Sequence, residues 1–200
     1  RFLRKSVKEE TPFFLYLAHM HVHLPHYPPE RFLSESQNGP YGGAVAAIDW
    51  ATDCLLHELQ ALCIDENTIV LFTSDNGSRM QGQGGSNGPL RGIKGTTWEG
   101  GMRVPLIARW PGKVPAGRVC NELTLSLDLC PTLATLGGSE APSDRIIDGN
   151  DIRPILFDDE GAEAEHEAFF YYKRNTLEAV RSGKWKLHLR REKPKEKGNP

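Results

Sequence analysis

The chain has 200 residues, of which 38% are hydrophobic and 25% are charged, and its formal net charge is −2 at pH 7. This size and composition support one packed core of ordinary size with room for a small second lobe. The nearly balanced charge gives no general reason to expect nucleic acid or an anionic membrane as a partner. No apolar run approaches the ~20 residues that span a bilayer as a helix.

The first predicted element is a short apolar run that leads into a polar loop. Residues 12–17, Pro-Phe-Phe-Leu-Tyr-Leu, predict a buried parallel strand. The loop that follows carries four histidines, His19, His21, His23 and His26. Alternation along an extended segment places the first three on one side. A zinc site and a loop of histidines without a role stay open as alternatives, although zinc usually takes ligands from more than one segment.

The middle of the chain alternates between helical and strand patterns. The glycines of residues 39–43 predict a break in the chain. Apolar residues recur at three- and four-residue steps through residues 44–63 and predict a helix. Residues 68–73 predict a second buried strand, rich in β-branched and aromatic side chains. A long glycine-rich loop over residues 77–101 then leads to a third strand at residues 104–110.

The last third of the chain predicts one helix and an antiparallel meander. Residues 129–136 predict a helix that Asp128 caps and Gly137-Gly138 ends. Ser182-Gly183 predicts a turn between two strands of the meander. The three short strands of this meander are predicted at residues 168–172, 178–181 and 185–189.

Strands and helices that alternate in this way predict an α/β fold. In open α/β sheets, ligands bind beyond the carboxyl ends of the strands. The histidine loop and the pair Asp75 and Asn76 both follow predicted strands. The pattern therefore predicts a binding site that includes these two segments.

Asp75 and Asn76 are candidate metal ligands, since carboxylate and amide oxygens suit Ca²⁺ or Mg²⁺ better than zinc. The alternative is an Asp-Asn-Gly turn, because all three residue types favour turns. Lys94 lies among glycines in the long loop and can donate to an oxyanion as a point charge. Its alternative is an ordinary exposed lysine.

The four cysteines form no C-x-x-C pair, which argues against a zinc ribbon or a thioredoxin-like site. Cys54 and Cys63 lie in the predicted helix, where we expect buried free thiols. Cys120 and Cys130 flank a hydrophobic segment. The sequence leaves open whether these two form a disulfide.

Taken together, the segments resemble the sulfatase family, in particular its arylsulfatase branch. Each segment is short, but their order and spacing are specific and extend to about residue 189. The segments that carry the resemblance are residues 12–17 with His21-Val22-His23-Leu24-Pro25, Thr73-Ser74-Asp75-Asn76-Gly77, Lys94-Gly95-Thr96-Thr97-Trp98-Glu99-Gly100-Gly101, Val104-Pro105 with Trp110-Pro111-Gly112, Ser126-Leu127-Asp128-Leu129-Cys130-Pro131-Thr132, and Asp148-Gly149 with Asp151.

The resemblance implies an alkaline-phosphatase-like α/β sandwich. Residues 1–160 are then the C-terminal part of the large domain, and residues 161–200 begin a small antiparallel-sheet domain. It also implies a sulfuric ester hydrolase that acts on aryl or carbohydrate sulfate esters. Asp75 and Asn76 are implied ligands of one Ca²⁺ ion, whose other ligands come from the part of the family that precedes Arg1.

The resemblance further implies that His23 and Lys94 are catalytic and substrate-binding residues, which contact the sulfate ester and its bridging oxygen. The family's nucleophile is a formylglycine made from the cysteine of a Cys-x-Pro-Ser-Arg motif, and none of the four cysteines has that context. We therefore expect both the nucleophile and a first metal-binding Asp pair to precede Arg1. We also expect residues 1–200 alone to be inactive. The resemblance implies a secreted, periplasmic or lysosomal location, and leaves the oligomeric state unknown.

Two other functions stay open. One is a non-catalytic sulfatase-like domain that binds calcium or a sulfated ligand. The other is a phosphatase or phosphonate hydrolase on the same fold, which usually uses more metal ligands than the single Asp-Asn pair present here.

Overall fold

The structure is a computed structural model that describes residues 1–79 and 84–189. Its contacts divide the chain into two compact units, Arg1–Lys113 and a second that begins at Val114. Both units combine helices with small sheets. The domain boundary predicted near residue 160 stays a prediction.

In the first unit, a long helix is surrounded by shorter elements. Helix α3 has 23 residues and buries Ala44, Ala47 and Leu59. Neither it nor any other helix of the described residues is long and apolar enough to cross a membrane. The helices and strands of this unit are α1 (Phe2–Lys8), α2 (Glu30–Leu33), α3 (Gly39–Ala61), β1 (Val70–Thr73), α4 (Glu99–Met102) and β2 (Leu106–Arg109).

Helix α3 begins five residues before its predicted start, so the break predicted at residues 39–43 is wrong. Pro40 lies in the first turn of the helix, where a missing N–H costs nothing. Gly43 is buried, and an added Cβ would lie 3.1 Å from both the Phe32 carbonyl oxygen and Pro28 Cγ. Gly43 therefore allows close packing of the helix against Pro28 and Phe32, and the glycines of this segment do not interrupt the helix.

Strands β1 and β2 pair antiparallel, with Val70 opposite Arg109 and Thr73 opposite Leu106. The parallel arrangement that is typical of α/β folds does not hold for this pair. A parallel pair needs a crossover that carries the chain back to the other end of the sheet. Here the long loop returns to the edge where β1 ends, so that the residues after β1 and those before β2 share one edge.

The buried strand predicted at residues 12–17 is wrong for the described residues, because no described strand pairs with this run. The side chains of Phe14 and Tyr16 are 73% and 81% exposed. An apolar run becomes a buried strand only where neighbouring strands supply hydrogen bonds and cover both faces. Within this run, the Phe13 ring meets Phe2 of α1 edge-on, with ring centroids 6.0 Å apart.

Helix α1 is fastened to α3 by a bidentate ion pair. Arg4 donates from Nε to Glu58 Oε1 at 2.5 Å and from Nη2 to Oε2 at 2.9 Å. These hydrogen bonds hold the pKa of the Glu58 carboxyl below its ordinary value. Because the pair is exposed to solvent, it orients α1 more than it stabilises the fold.

The second unit matches its predicted elements closely. Strands β3, β4 and β5 form an antiparallel sheet in sequence order. The predicted turn is confirmed, since Gly183 has a φ of +51° directly after β4. The elements of this unit are α5 (Leu129–Leu136), α6 (Arg153–Phe157), β3 (Phe169–Lys173), β4 (Thr176–Ser182) and β5 (Trp185–His188).

Asp128 precedes α5 as predicted but makes no capping hydrogen bond to it. Its fully buried carboxylate instead accepts three hydrogen bonds, one from a nearby residue and two from residues distant along the chain. The donors are the Leu125 N–H at 2.6 Å, the Asn150 N–H at 2.9 Å and His166 Nε2 at 2.7 Å. Asp128 thus joins three segments of the second unit, because a buried carboxylate needs several donors to offset its lost hydration.

The four cysteines are free thiols, and all are exposed. The buried thiols predicted at Cys54 and Cys63 are therefore wrong. Helix α3 buries only a narrow stripe of mostly small residues, and Cys54 and Cys63 lie outside it. No disulfide joins Cys120 to Cys130.

Candidate active site

Asp75 and Asn76 lie directly after β1. Asn76 Nδ2 donates a hydrogen bond to Asp75 Oδ2, and Ser74 Oγ donates to the Asn76 carbonyl oxygen at 3.0 Å. This arrangement leaves Asp75 Oδ1 and Asn76 Oδ1 available as oxygen ligands. The Asp75 carboxylate is exposed and forms no ion pair within residues 1–79 and 84–189.

These two oxygens fit part of the coordination shell of a hard cation such as Ca²⁺, which takes six to eight oxygen ligands. Among the residues that the structure describes, no group of three or more His, Cys, Asp or Glu side chains is placed to hold a metal ion. Asp75 and Asn76 therefore supply a partial shell at most.

Lys94 lies in a tight turn that Thr96 closes. Thr96 Oγ1 donates to the Ile93 carbonyl oxygen at 2.7 Å and accepts from the Ile93 N–H at 3.2 Å. Gly95 has a φ of +83°, a conformation that glycine adopts without strain. The Lys94 side chain is exposed and makes no ion pair in the described part of the chain. Its charge is therefore available to an anionic ligand.

Backbone hydrogen bonds join the Lys94 turn to the segment after β1. The Lys94 N–H donates to the Ser78 carbonyl oxygen at 3.1 Å, and the Gly77 N–H donates to the Gly101 carbonyl oxygen at 3.1 Å. A Cβ added at Gly77 would lie 1.9 Å from the Gly100 carbonyl oxygen. The structure thus brings the backbone next to Asp75 and Asn76 together with that of the Lys94 turn, at a separation that only glycine permits.

Asn87 reinforces this approach from the side. Its Oδ1 accepts from the Ser78 N–H at 2.7 Å, and its Nδ2 donates to the carbonyl oxygens of Ser78 at 3.1 Å and Gly92 at 2.9 Å. One half-buried amide therefore satisfies three backbone groups of two segments. Sequence reasoning missed Asn87, because an Asn among glycines carries the same signal as an ordinary turn.

His23 lies in the histidine loop after residues 12–17. Its Nδ1 is 2.7 Å from the Leu24 carbonyl oxygen. Because a carbonyl only accepts, Nδ1 carries the proton and Nε2 is left to exchange a proton with a ligand. The His19 and His21 rings stack with centroids 6.5 Å apart. That His23 converges with Asp75 and Lys94 stays a prediction.

Two family descriptions match this sequence. The sulfatase model matches residues 1–139, and the model for the C-terminal part of N-sulphoglucosamine sulphohydrolase matches residues 94–194. The first match includes both segments of the candidate site and covers more than half of the chain. The chain therefore belongs to the sulfatase family.

Individual relatives agree with this assignment. The N-acetylgalactosamine-6-sulfatase of Canis lupus familiaris is 46% identical over 191 residues, which are 94% of this chain and 36% of the relative. The steryl-sulfatase of Rattus norvegicus is 42% identical over 194 residues, 94% of this chain and 33% of the relative. The chain spans about a third of the length of these relatives.

The fold also has a close counterpart among solved structures. The crystal structure of the PsFucS1 sulfatase from Pseudoalteromonas sp. superposes with a TM-score of 0.87 at 35% identity. The match covers 94% of this chain and 38% of that chain. The expected sulfatase fold, an alkaline-phosphatase-like α/β architecture, is thereby confirmed for the part that this chain supplies.

Proposed function

We propose that this chain is the C-terminal part of an enzyme that hydrolyses aryl or carbohydrate sulfate esters in its full-length form. The observation that carries the proposal is the hydrogen-bonded approach of the Asp75-Asn76 segment to the Lys94 turn. It joins the segment of the two candidate oxygen ligands to the turn of Lys94, whose ammonium group forms no ion pair among the described residues. The names of the relatives, a sugar sulfatase and a steryl-sulfatase, support a sulfate ester as the substrate class.

In this proposal Asp75 and Asn76 would hold one Ca²⁺ with their side-chain oxygens. When bound, the ion supplies positive charge to the sulfate oxygens. The remaining ligands come from residues outside those that the structure describes. Of these two residues, Asp75 should contribute more to the binding, because a hard cation depends chiefly on its charged ligands.

Lys94 and His23 act on the sulfate ester and its bridging oxygen. Lys94 donates from its ammonium group to an oxygen that gains negative charge as the S–O bond breaks. His23, protonated at Nε2, gives a proton to the leaving oxygen, while the Leu24 carbonyl keeps the ring oriented through Nδ1. The two residues share the task of stabilising the leaving group.

The nucleophile in this proposal is a formylglycine outside these residues, since the chain has no Cys-x-Pro-Ser-Arg motif. A secreted, periplasmic or lysosomal location belongs to the same proposal. The competing function is a sulfatase-like domain that binds calcium or a sulfated ligand without catalysis.

A polypeptide of residues 1–200 alone is expected to show no sulfatase activity, because none of its cysteines has the context for conversion to formylglycine. It is also expected to bind a hydrophobic dye such as ANS, because the run at residues 12–17 is unpaired and exposed. Hydrolysis of nitrophenyl sulfate by the pure polypeptide, at a rate that follows its concentration, would contradict the proposed nucleophile.

In the full-length protein, Asp75→Ala is expected to weaken Ca²⁺ binding by about 100-fold or more, since loss of a partner outside the coordination shell already costs 10- to 100-fold. Hydrolysis should fall in parallel, and Asn76→Ala should show a smaller loss of both. Isothermal titration with Ca²⁺ and steady-state kinetics on nitrophenyl sulfate measure the two effects.

The matched control is Asp53→Ala, which removes an exposed carboxylate from α3 and leaves the candidate site intact. Both the Ca²⁺ affinity and the rate of nitrophenyl sulfate hydrolysis should remain at the wild-type level in this variant. Unchanged Ca²⁺ affinity in Asp75→Ala would show that Asp75 and Asn76 only form a turn. Ca²⁺ binding by a wild-type protein that hydrolyses no sulfate ester would favour the non-catalytic domain.

A further inference from the structure

Tyr41, near the start of α3, lies between the histidine loop and the glycine-rich loop. Its ring meets the His26 ring edge-to-face, with centroids 5.6 Å apart and planes 73° apart. The same side chain contacts the other loop at Gly84 and Gly85. A Cβ added at Gly84 would lie 2.3 Å from Tyr41 Cβ, and one at Gly85 would lie 3.0 Å from Tyr41 Oη.

The His26 contact leads to the backbone of His23. His26 Nε2 is 3.0 Å from the Val22 carbonyl oxygen and donates to it. Val22 directly precedes His23, so the position of the His26 ring fixes the backbone that carries the His23 side chain. The Tyr41 ring packs against the His26 ring and thereby limits the movement of that ring.

The Gly85 contact leads to Lys94. A Cβ at Gly85 would also lie 2.5 Å from Ser78 Oγ, so Gly85 is packed between Tyr41 and Ser78. The Ser78 carbonyl oxygen in turn accepts the Lys94 N–H at 3.1 Å. Tyr41 therefore touches His26, which donates to the backbone just before His23, and Gly85, which packs against the residue that accepts the Lys94 N–H.

We propose that Tyr41 is a positioning residue, whose ring sets the His23 loop and the Lys94 loop in register. The proposal rests on the proposed function, in which His23 and Lys94 act on the same sulfate ester. A displacement of about 1 Å between cooperating groups can cost ~100-fold in rate. The contacts with His26 and Gly84 involve the ring and Cβ, and a Cβ at Gly85 would lie as close to the ring atom Cζ, 3.0 Å, as to Oη, so phenylalanine should replace tyrosine at this position.

The test is made in the full-length protein. Tyr41→Ala is expected to lower kcat by about 10- to 100-fold with a small change in KM, because misplaced groups fail mainly in the transition state. The loss should be larger for a sugar sulfate than for nitrophenyl sulfate, whose leaving group needs less help. Tyr41→Phe should restore kcat, and adding His26→Ala to Tyr41→Ala should cost little more, because both act through one contact.

Phe32→Ala is the matched control, because it removes a different aromatic ring that packs against α3. Phe32 lies on α2, and its ring centroid is 6.0 Å from that of Trp50 on α3. This variant should lose stability but keep kcat. A Phe32→Ala variant that loses as much kcat as Tyr41→Ala, or a Tyr41→Ala variant within twofold of wild type, overturns the proposal.

Hydrogen exchange separates this proposal from the proposed function. In Tyr41→Ala the amides of His23 and Lys94, which donate to the Met20 and Ser78 carbonyl oxygens, should exchange faster, whereas Tyr41→Phe should leave them protected. If the wild type hydrolyses no sulfate ester, the proposed function fails while faster exchange at both amides still supports the linkage. Unchanged exchange at both amides refutes the linkage whatever the activity.

Discussion

Lys94→Ala in the full-length protein is expected to lower kcat for sulfate-ester hydrolysis by about 10²- to 10³-fold, the usual loss when one donor to a developing oxyanion is removed. The Lys94 turn is held by Thr96 and by the backbone bond to Ser78, so its ammonium group is presented from a fixed backbone. Because its help grows as the S–O bond breaks, kcat should fall and KM should change less. The loss should be larger on a sugar sulfate than on nitrophenyl sulfate, whose phenoxide leaves easily.

Two variants provide the controls for Lys94. Lys94→Arg keeps the charge on a longer and differently shaped donor and should retain part of the activity. Lys8→Ala removes an equally exposed positive charge from α1 and should leave both constants unchanged. If Lys94 only attracts anions, its loss will raise KM equally on both substrates and in a salt-sensitive way, because exposed charges act over a screened range of ~8–10 Å.

Asp128→Ala is expected to destabilise the second unit by roughly 3–5 kcal/mol, the range found when one partner of a buried charged network is removed. The substitution leaves three donors without an acceptor, on Leu125, Asn150 and His166. It also removes the link between the segment before α5 and the segments that contain Asn150 and His166. A lower urea midpoint for the full-length protein, followed by a probe in the second unit such as Trp185 fluorescence, measures the effect.

Asp144→Ala provides the comparison for Asp128. Asp144 lies in the same unit, is exposed, and forms an ion pair with its neighbour Arg145. That ion pair lowers the pKa of the Asp144 carboxyl, yet its loss should leave the urea midpoint nearly unchanged, because exposed ion pairs contribute little. Equal shifts for the two variants would mean that the buried network around Asp128 has no special part in stability.

Several elements were predictable because their signals are local. The glycines after residue 136 end α5 at its predicted position, and Ser182-Gly183 forms the predicted turn. The motifs around Asp75 and Lys94 identified the family for the same reason, since their residue types and spacing are visible in short stretches of sequence. The Asp75 segment and the Lys94 turn are close in sequence, and they also lie close in space because the loop between β1 and β2 returns to the edge where it starts.

The wrong predictions share a different cause. Residues 12–17 have the composition of a buried strand, but only hydrogen bonds from neighbouring strands make one. Composition also left open the direction of β2, which depends on how the chain returns from the glycine-rich loop. At residues 39–43, packing against Pro28 and Phe32 outweighs the weak helix propensity of glycine.

The sequence by itself determined the family, the candidate ligands Asp75 and Asn76, and the candidate cation Lys94, because chemistry of this kind is carried by residue type and local order. The tertiary structure alone decided which polar and aromatic side chains hold the site in place. Asn87, Tyr41 and Asp128 look ordinary in the sequence. Their contacts join segments that are distant along the chain, and the energy of such contacts depends on a geometry that exists only after folding.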